Sequence, residues 1–442
     1  SANATYTFTG LTEKTTHTIK VKVADTNGRM SNEYSLSATT DEYKVPTITN
    51  VTTSSTYNSI TINITGQNGD GTINKYYYSK DDGSNYTEST SSSYTFSDLT
   101  SNTTFYIKVY VKDNSGRVSS VTLTTEKTEI PTIASVCSNG DNFSTCIKKF
   151  GNLGSNVSNI YIHNSSLTNG AGDNSYRYAG ASESVNNFVC FGSDATPCPT
   201  DNLYRIIGVF GDKVKLIKYD YASSNLLGTD GDYKDTLTPS TSYKGSLTTI
   251  DTYSWNYKND TNNGGYSNEW STSLFNKTNL NKNYLNNIGA IWSNMIEDTI
   301  WKVSGHSTRD VTPKAMYTAE ITNATKTYGP ENGTSKIGLM YASDYGFAAD
   351  PIAWKVALSN YDRNVSGSSI TSVNWMYMGF PEWTITPVSS NSEAVLNLFY
   401  SGFLSIAGVN YGFGGRPVLY LKSSSAYAGG FGTKDAPITL VV

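Results

Sequence analysis

The chain carries little charge, and that charge is spread along the sequence. Lys and Arg number 33 and Asp and Glu number 37, so charged residues make up 16% of the chain and its formal net charge is −4. No basic run is present that would neutralise nucleic-acid phosphates or hold the protein on an anionic membrane. No stretch approaches the roughly 18 consecutive apolar residues of a membrane-spanning helix. We therefore expect no nucleic-acid partner, and any membrane anchor should lie in a segment outside this chain.

Histidine is scarce, and the motifs of common catalytic and metal sites are missing. Only His17, His163 and His306 occur, and a lone His in polar sequence is expected at the surface. There is no HExxH, GxSxG or phosphate-binding glycine loop. The acidic run 230–235 lacks the frame and the distal Glu of an EF-hand, so calcium is not predicted there. We expect no metal site, no cofactor and no enzymatic activity.

One catalytic alternative stays open at the level of sequence. Glycosidases use paired carboxylates, and the C-terminal part contains Glu331, Asp344 and Glu382 as acidic candidates. Their spacing does not by itself indicate a pair. This alternative therefore depends on where the fold places the three side chains.

The four cysteines all lie between residues 137 and 198. Neither short spacing is the C-x-x-C of a zinc site or a redox motif. Among the three possible connectivities we predict two local disulfides, Cys137–Cys146 and Cys190–Cys198, and the alternative is four free thiols. Disulfides would indicate an oxidising, extracellular compartment.

The abundant residues are Ser, Thr, Asn, Gly and Tyr, with 33 Tyr and 37 Gly in 442 residues. Ser, Thr and Asn compete with the helix for backbone hydrogen bonds, and Tyr suits a half-buried strand face, so strands and polar loops are favoured. Hydrophobic residues still reach 37%, which is enough for folded cores and excludes disorder. A chain of this length is expected to form two to four domains.

The first 130 residues contain an internal repeat with a period near 88 residues. The stretch 6–25 matches the stretch 94–113, and the Gly-Arg turn at 28–29 matches that at 116–117. Both copies alternate apolar and polar residues with the period of a β-strand. A repeat of this size built from short strands is typical of a β-sandwich domain.

The repeat resembles fibronectin type III domains through its Leu-x-x-x-Thr-x-aromatic corner, which leads into the alternating strand. The family usually has Tyr at the corner, whereas this chain has His17 and Phe105, so we do not expect the corner hydroxyl bond at Phe105. The resemblance implies a partial fibronectin type III-like domain at 1–45 and a complete one at 46–130. Such domains usually act as spacers.

The composition changes near residue 131, and all seven tryptophans lie between 255 and 383. Large aromatic residues of this number indicate one sizeable core. The turn Gly211-Asp212 is predicted to close a hairpin. Predicted strands occupy 204–210, 213–218, 336–341 and 417–421. Predicted helices occupy 272–288 and 312–324, the second with a Thr cap followed by Pro. We therefore expect one α+β domain at 131–442.

This C-terminal domain carries a second resemblance. Its motifs include Tyr204-Arg-Ile-Ile-Gly-Val, Lys336-Ile-Gly-Leu-Met-Tyr-Ala-Ser-Asp-Tyr-Gly, Glu382-Trp-Thr-Ile-Thr-Pro and the closing Gly415-Arg-Pro-Val-Leu-Tyr-Leu-Lys. They look like C-type-lectin-like domains of the formylglycine-generating-enzyme branch on surface proteins of gut Firmicutes. Within that group they are similar to the variable proteins of diversity-generating retroelements. The oxidase relatives need a cysteine pair in the C-terminal core, and this chain has no cysteine after Cys198.

The resemblance implies a region of programmed sequence variation. In such systems an error-prone reverse transcriptase randomises adenines near the gene's 3′ end, so that AAC codons become many residues but never Lys, Glu, Gln, Met or Trp. Residues 394–415 contain none of these five types. The segment 388–414 is also rich in aromatic residues, Gly and Ser, which is the composition of antibody loops. We predict that this segment forms a ligand-binding face.

The alternative interpretation is that the segment forms core strands, and Val395, Leu404 and Val409 are the residues most expected in the core. Residues just upstream are predicted to join the binding face, with a structural aromatic cluster as their alternative. The predicted ligand-binding residues are Tyr377, Met378, Phe380, Glu382, Val388, Glu393, Leu396, Leu398, Phe399, Tyr400, Phe403, Ser405, Ile406, Ala407, Tyr411 and Phe413.

The sequence thus predicts a multidomain chain in which all-β fibronectin type III/Ig-like sandwiches precede an α+β C-type-lectin-like domain. The predicted function is that of an extracellular receptor or adhesin on a bacterial cell surface or phage particle, with a protein or cell-surface ligand. One alternative is a carbohydrate-binding module, whose exposed aromatic residues would stack on the sugar rings of a glycan. Another is a structural surface-appendage subunit of fixed sequence.

Overall fold

The computed structural model describes residues 4–257, 267–328 and 335–442. The chain divides into two compact units, residues 1–130 and 131–442. Strands outnumber helices in the described ranges. In those same ranges, no helix is both long and apolar enough to cross a bilayer.

The first copy of the repeat forms one antiparallel hairpin. Its strands are β1 (Thr16–Val21) and β2 (Tyr34–Thr39). Several of its apolar side chains lie in solvent, and Val23 is 67% exposed.

The second copy lies in a complete sandwich of two antiparallel sheets. Its strands are β3 (Thr47–Ser55), β4 (Ile60–Gln67), β5 (Ile73–Ser79), β6 (Thr87–Ser89), β7 (Ser93–Phe96), β8 (Thr104–Asp113) and β9 (Thr122–Lys127). One sheet has the order β3–β4–β7 and the other β6–β5–β8–β9. Alternate residues of β8, Ile107, Val109 and Val111, pack between the sheets against Ile60 and Ile62 of β4, and all five are buried. Residues 46–130 are therefore a fibronectin type III/Ig-like β-sandwich.

The two copies share a turn but not a core. The Asp113 carboxylate accepts the backbone N–H and the side-chain Nε–H of Arg117, both at 2.9 Å. Asp25 accepts the same groups of Arg29 at 2.9 and 2.8 Å. In contrast, Val21 is 46% exposed, whereas its counterpart in β8 is fully buried. The turn is encoded locally, but burial requires the second sheet, and the described part of the first copy contains only β1 and β2.

The C-terminal unit contains many short strands and short helices. The strands are β10 (Ile160–Ile162), β11 (Tyr176–Tyr178), β12 (Phe188–Cys190), β13 (Leu203–Phe210), β14 (Lys213–Lys218), β15 (Tyr233–Leu237), β16 (Ile250–Tyr253), β17 (Trp301–Lys302), β18 (Thr327–Tyr328), β19 (Ile337–Gly338), β20 (Asn364–Val365), β21 (Ser368–Ser369), β22 (Glu382–Pro387), β23 (Ala394–Leu398), β24 (Leu404–Gly408), β25 (Val418–Tyr420), β26 (Tyr427–Gly429) and β27 (Thr439–Leu440). The α-helices are α1 (Phe143–Gly151), α2 (Ser155–Ser158), α3 (Ser224–Leu227), α4 (Leu285–Asn287), α5 (Ala290–Ser293), α6 (Pro313–Tyr317) and α7 (Ala342–Ala348). The π-helical segments are Phe275–Tyr284 and Thr318–Thr322. The 3-10 turns are Ile133–Ser135, Thr200–Asn202, Pro351–Ala353, Leu358–Asn360 and Ile370–Val373.

The largest sheet of this unit has seven strands. Its order is β10–β11–β13–β14–β25–β19, and β12 pairs with β13 beside this path. β13 and β14 form the predicted hairpin, and Gly211 at the turn has a φ of +64°, which a side chain would disfavour. One buried cluster combines residues of this sheet with residues of the sheet β22–β23–β24.

The two predicted helices are present, but both change helical type. The first becomes π-helical over Phe275–Tyr284 before α4. Asp232 Oδ2 accepts the backbone N–H groups of Leu274 and Phe275 at 3.1 Å, so the central Asp of the acidic run caps this helix. The second begins as predicted, with the Thr312 hydroxyl accepting the Ala315 N–H.

The strand predicted over 336–341 is shorter than expected. Only Ile337 and Gly338 pair with β25. The chain then turns into α7, because the Asp344 carboxylate accepts the backbone N–H of Tyr341 at 3.0 Å and closes the first turn of the helix. A helix start of this kind competes with a continuing strand.

Both predicted disulfides are present. The Cα–Cα distance is 5.6 Å for Cys137–Cys146 and 5.8 Å for Cys190–Cys198. Cys146 lies in α1 and Cys190 at the end of β12. Their presence is consistent with an extracellular setting.

The prediction of a surface position is wrong for His163. Its side chain is fully buried beside the rings of Phe347 and Trp354. Its Nδ1 accepts the backbone N–H of Ala171 at 3.0 Å. Burial lowers the pKa of His163 to about 2, helped by the nearby positive charge of Arg177. The imidazole is a neutral core group.

Candidate ligand-binding surface

The predicted variable segment contributes two strands to a three-stranded sheet. β23 lies between β22 and β24, and it runs antiparallel to β24 in register from Ala394–Gly408 to Leu398–Leu404. Every residue of β23 is buried. Within β24 burial declines after Leu404, and Ile406 is exposed. Two adjacent strands of similar composition therefore face different surroundings.

Six of the predicted ligand-binding residues lie in the core instead of on the surface. Met378 and Phe380 pack with Tyr221 and Ile250 in a small separate cluster, while the others of apolar type join the main core. The predictions of core positions for 395, 404 and 409 are correct, since all three side chains are fully buried. The residues removed from the binding face are Met378, Phe380, Glu382, Val388, Leu396 and Leu398.

Glu382 is excluded from ligand contact by an internal ion pair. Arg416 Nε lies 2.6 Å from Glu382 Oε1, and each side chain is 1% exposed. Arg416 Nη2 also donates to the carbonyl of Met376 at 2.9 Å. Burial acts to lower the pKa of Arg416, but the Glu382 carboxylate raises it above its ordinary value. The pair links β22 to the closing Arg-Pro-Val-Leu-Tyr motif.

Of the three carboxylates considered for glycoside hydrolysis, the two in the described residues, Asp344 and Glu382, do not form an accessible pair. Asp344 is buried against Lys215, with a distance of 2.5 Å from Oδ2 to Nζ, and Glu382 is buried against Arg416. Glu331 lies outside the described residues. In the part of the chain that the structure describes, no group of three His, Cys, Asp or Glu side chains is placed to hold a metal ion.

The turn between β23 and β24 is held through its backbone. The Tyr345 hydroxyl donates to the carbonyl of Gly402 at 2.7 Å, and the Tyr377 hydroxyl donates to the carbonyl of Tyr400 at 2.6 Å. Gly402 has a φ of +100°, and a Cβ there would approach Thr371 Cγ2 to 2.3 Å. Only glycine fits at this position. The turn therefore has a defined shape that does not depend on its exposed side chains.

Those exposed side chains form an aromatic group. The ring of Phe399 lies 4.3 Å from that of Tyr400 and 5.0 Å from that of Phe403. Arg309 lies 5.1 Å from the Phe403 ring, and its Nη1 donates to the carbonyl of Leu404 at 2.9 Å. Tyr400 is 47% exposed. The rings are positioned by contacts with one another while one side stays open to solvent.

A second aromatic group lies after β24. The Tyr411 N–H donates to the carbonyl of Gly408 at 3.1 Å, and Phe413 pairs with Tyr253 through two backbone hydrogen bonds. The Phe413 ring packs 4.5 Å from the buried ring of Trp383. Tyr411 stacks on Phe413 at 6.2 Å and is 60% exposed. Phe413 thus anchors the turn and Tyr411 projects from it.

β24 is also an edge strand. In its pairing with β23 the N–H and C=O of Ile406 point away from β23, because Phe399–Phe403 is a hydrogen-bonded pair and such pairs alternate. Within the described ranges, no hydrogen bond to these two groups is present. We call the accessible residues of the segment the display surface: Phe399, Tyr400, Phe403, Ser405, Ile406, Ala407, Tyr411 and Phe413, with Tyr377 and Glu393 at its margins.

A polar cleft of about 390 Å³ adjoins the start of the segment. It is lined by 303–305, 325–326 and 387–392 together with Asn268, and Lys326 is the only charged residue among these. Asn268 Nδ2 donates to the carbonyl of Asn391 at 2.7 Å and fixes the loop that forms one wall. The cleft offers several Ser and Thr hydroxyls to a neutral polar ligand.

The residues that support the display surface have no signal in the linear sequence. Tyr345 is 57 residues from the carbonyl that it binds, and Arg309 is 95 residues from its own partner. Asn268 reaches 123 residues to Asn391. Their roles depend on tertiary contacts that periodicity and motifs do not encode.

The chain matches no protein-family model and no curated protein. Among solved structures it is similar to the PKD1 domain of Vibrio anguillarum Epp, with 20% identity over 20% of this chain and all of that chain, at a TM-score of 0.18. It is similar to the fn3 domain of human collagen alpha-1(XX) chain, with 20% identity over 22% of this chain and 94% of that one, at 0.18. It also resembles domains d3-d4 of rat CD45, with 14% identity over 28% of this chain and 70% of that one, at 0.20. The strand order of 46–130 remains the basis for its fold class.

Proposed function

We propose that this chain is a non-enzymatic extracellular binding protein, a receptor or adhesin whose C-type-lectin-like domain carries the display surface on a sandwich stalk. The observation that supports the proposal is the division of one apolar segment into a buried strand and an accessible one. Tyr400, Ile406 and Tyr411 are 47%, 42% and 60% exposed. Clustered exposed side chains of this type mark interaction sites on soluble proteins.

The chemistry of the display surface suits recognition. Tyr and Phe provide large contact areas with few rotatable bonds, so little conformational entropy is lost when a ligand binds. The neighbouring Ser405 and Ala407 are small and leave room for a ligand to approach the rings. A protein or cell-surface ligand that buries these rings is the partner we propose.

The way the 399–403 turn is supported also favours sequence diversification. Tyr345, Tyr377 and Arg309 bind carbonyl groups in or next to the turn. A change of the Tyr400 side chain leaves those hydrogen bonds in place. A surface built in this way tolerates many side chains on one backbone, as a variable protein of a diversity-generating retroelement requires.

Population sequencing of the gene's 3′ end and the adjacent DNA tests the diversification. We expect codon variation at exposed positions such as Tyr400, Ile406 and Tyr411, invariance at buried Leu396 and Leu398, and a near-copy repeat that differs from the gene at its adenines. Invariant codons without such a repeat would identify a fixed binding or structural domain. Variation that falls equally on buried positions would contradict the proposed display surface.

Binding measurements test the ligand-recognition step. The full chain is probed against a display library of cell-surface proteins and against a glycan array, and each hit is titrated with Tyr400→Ala and Tyr411→Ala. We expect each substitution to weaken binding about tenfold or more, which corresponds to about 1.4 kcal/mol. Phe431→Ala is the matched control, since Phe431 is 51% exposed but lies outside the display surface. Equal loss in the control would contradict the assignment.

A carbohydrate ligand is the second candidate, and the polar cleft favours it. Its walls of Ser and Thr hydroxyls with Asn391 lie at the start of the same segment, and aromatic rings stack on sugars. Binding on the glycan array that is lost in Asn391→Ala, without any protein hit, would favour this function. We propose a bacterial cell surface or a phage particle as the location in either case.

A further inference from the structure

A primary amine and a carboxyl group meet in the core of the C-terminal unit. Lys215 in β14 and Asp344 in α7 are 129 residues apart in sequence, and their Nζ and Oδ2 atoms are 2.5 Å apart. Their side chains are 1% and 2% exposed. The two groups are therefore held in direct hydrogen-bonding contact and shielded from water.

Burial disfavours the charged form of Lys215 and lowers its pKa, even though Asp344 opposes the shift. The Nζ atom also lies 4.5–5.9 Å from the ring centroids of four aromatic residues, whose faces attract an ammonium group and so act in the opposite direction. A buried ion pair recovers its desolvation cost only with good geometry and further hydrogen bonds. Condensation of the two groups would remove both charges from this site. The four aromatic residues are Phe210, Trp301, Tyr341 and Tyr420.

Arg177 is placed to assist such a condensation. Its Nη1 lies 3.6 Å from Asp344 Oδ1, the carboxyl oxygen that Lys215 does not contact. That buried Nη1 has no hydrogen-bond partner among the described residues. The 3.6 Å separation is too long for a hydrogen bond, but a positive charge beside a carboxyl oxygen stabilises the negative charge of a tetrahedral intermediate. Arg177 Nη2 is held separately by Asp173 at 2.7 Å.

The charges of the site stay balanced after condensation. Arg177 is already paired with Asp173. The neighbouring Glu320 accepts the backbone N–H of Ser343 at 3.3 Å and the hydroxyl of Thr386 at 2.5 Å, and burial raises the pKa of Glu320 to about 7. If Lys215 and Asp344 lose their charges together, the site retains the matched ion pair of Arg177 and Asp173.

We propose that Lys215 and Asp344 are joined by an intramolecular amide bond that forms after folding. The proton of the ion pair first moves from Nζ to Oδ2. The neutral Nζ then attacks Cγ of Asp344, the C–N bond forms and the Cγ–Oδ2 bond breaks. One amine hydrogen joins the departing hydroxyl, which leaves as water, and Oδ1 becomes the amide carbonyl oxygen beside Arg177. No oxidant, reductant or further reactant is required.

The test is the intact mass of the purified full chain after denaturation and complete reduction of both disulfides. We expect a mass lower than that calculated from the sequence by one water. A proteolytic digest should contain a branched peptide that joins the Lys215 and Asp344 segments. Lys215→Arg keeps the positive charge but has no primary amine, and it should show its calculated mass.

Two results would overturn the proposal. The first is a wild-type chain at its calculated mass, provided that its disulfides and a protease-resistant C-terminal unit show that it is folded. The second is a loss of water that maps to a linear peptide, such as a dehydrated aspartate, without any branched peptide. Because both measurements use the wild-type chain, neither depends on the folding of a variant.

Discussion

β23 and β24 are neighbours in one antiparallel pair, yet one belongs to the core and the other to the surface. Leu396 and Ile406 stand opposite each other in register, and they are 0% and 42% exposed. β23 has a strand on each side, whereas β24 is the edge of the sheet. Position in the sheet, more than hydrophobicity, decides which strand is available to a ligand.

The largest difference in stability is expected between two glutamates, Glu382 and Glu393, that the sequence predicts on the same ligand-binding face. Glu382→Ala should destabilise the C-terminal unit by about 3–5 kcal/mol, because Arg416 would be left buried without its partner. Glu393→Ala should change stability by less than about 0.5 kcal/mol, since Glu393 is exposed. Urea unfolding followed by tryptophan fluorescence reports on this unit, as all seven tryptophans lie there. Similar effects of the two changes would show that Glu382 is not a core residue.

The opposed pair Leu396 and Ile406 gives the next largest difference. Leu396→Ala removes a fully buried side chain and should cost about 2–5 kcal/mol. Ile406→Ala should cost less than about 1 kcal/mol, because much of this side chain is already in water. The same fluorescence measurement applies to both variants. A large loss for Ile406→Ala would place β24 in the core with β23.

The stability of the C-terminal unit should also depend on pH, because the buried Glu320 accepts a hydrogen bond from the hydroxyl of Thr386 in β22. Burial raises the pKa of Glu320 from 4.5 to about 7. Its proton is therefore held more tightly in the folded state, and stability falls as pH rises from about 4.5 to 7. Relative to Glu320→Gln, the wild type should lose up to about 3 kcal/mol over this window. Unfolding free energies with the same pH slope in both proteins would contradict the buried, protonated state.

Much of the fold could be predicted where the information is local. The alternating residues of β8, the Thr312 cap and both disulfides follow from short sequence patterns. The repeat also preserves its Asp-Arg turn in both copies. Burial was less predictable, because Val21 and its buried counterpart have the same local sequence but only the latter faces a second sheet.

The burial of individual residues in the candidate site is equally hard to predict from the sequence. Composition places the aromatic residues in one segment, but it does not distinguish Leu398 from Phe399. These two residues differ in burial because Leu398 ends a central strand and Phe399 begins a turn. Glu382 was misassigned because its partner Arg416 is 34 residues away. His163 was misassigned because Phe347 and Trp354, which bury it, come from distant sequence.

The smallest effect on stability is expected for Tyr411→Ala, although Tyr411 is a central residue of the proposed binding surface. Tyr411→Ala should change the free energy of unfolding by less than about 0.5 kcal/mol, because Tyr411 is 60% exposed and Phe413, not Tyr411, contacts the buried Trp383. Phe413→Ala is the matched comparison and should be clearly more destabilising. Urea unfolding of the two variants measures both values. If Tyr411→Ala proved as destabilising as Phe413→Ala, the ring would be part of the core, and any loss of ligand binding in that variant would reflect a damaged fold instead of a lost contact.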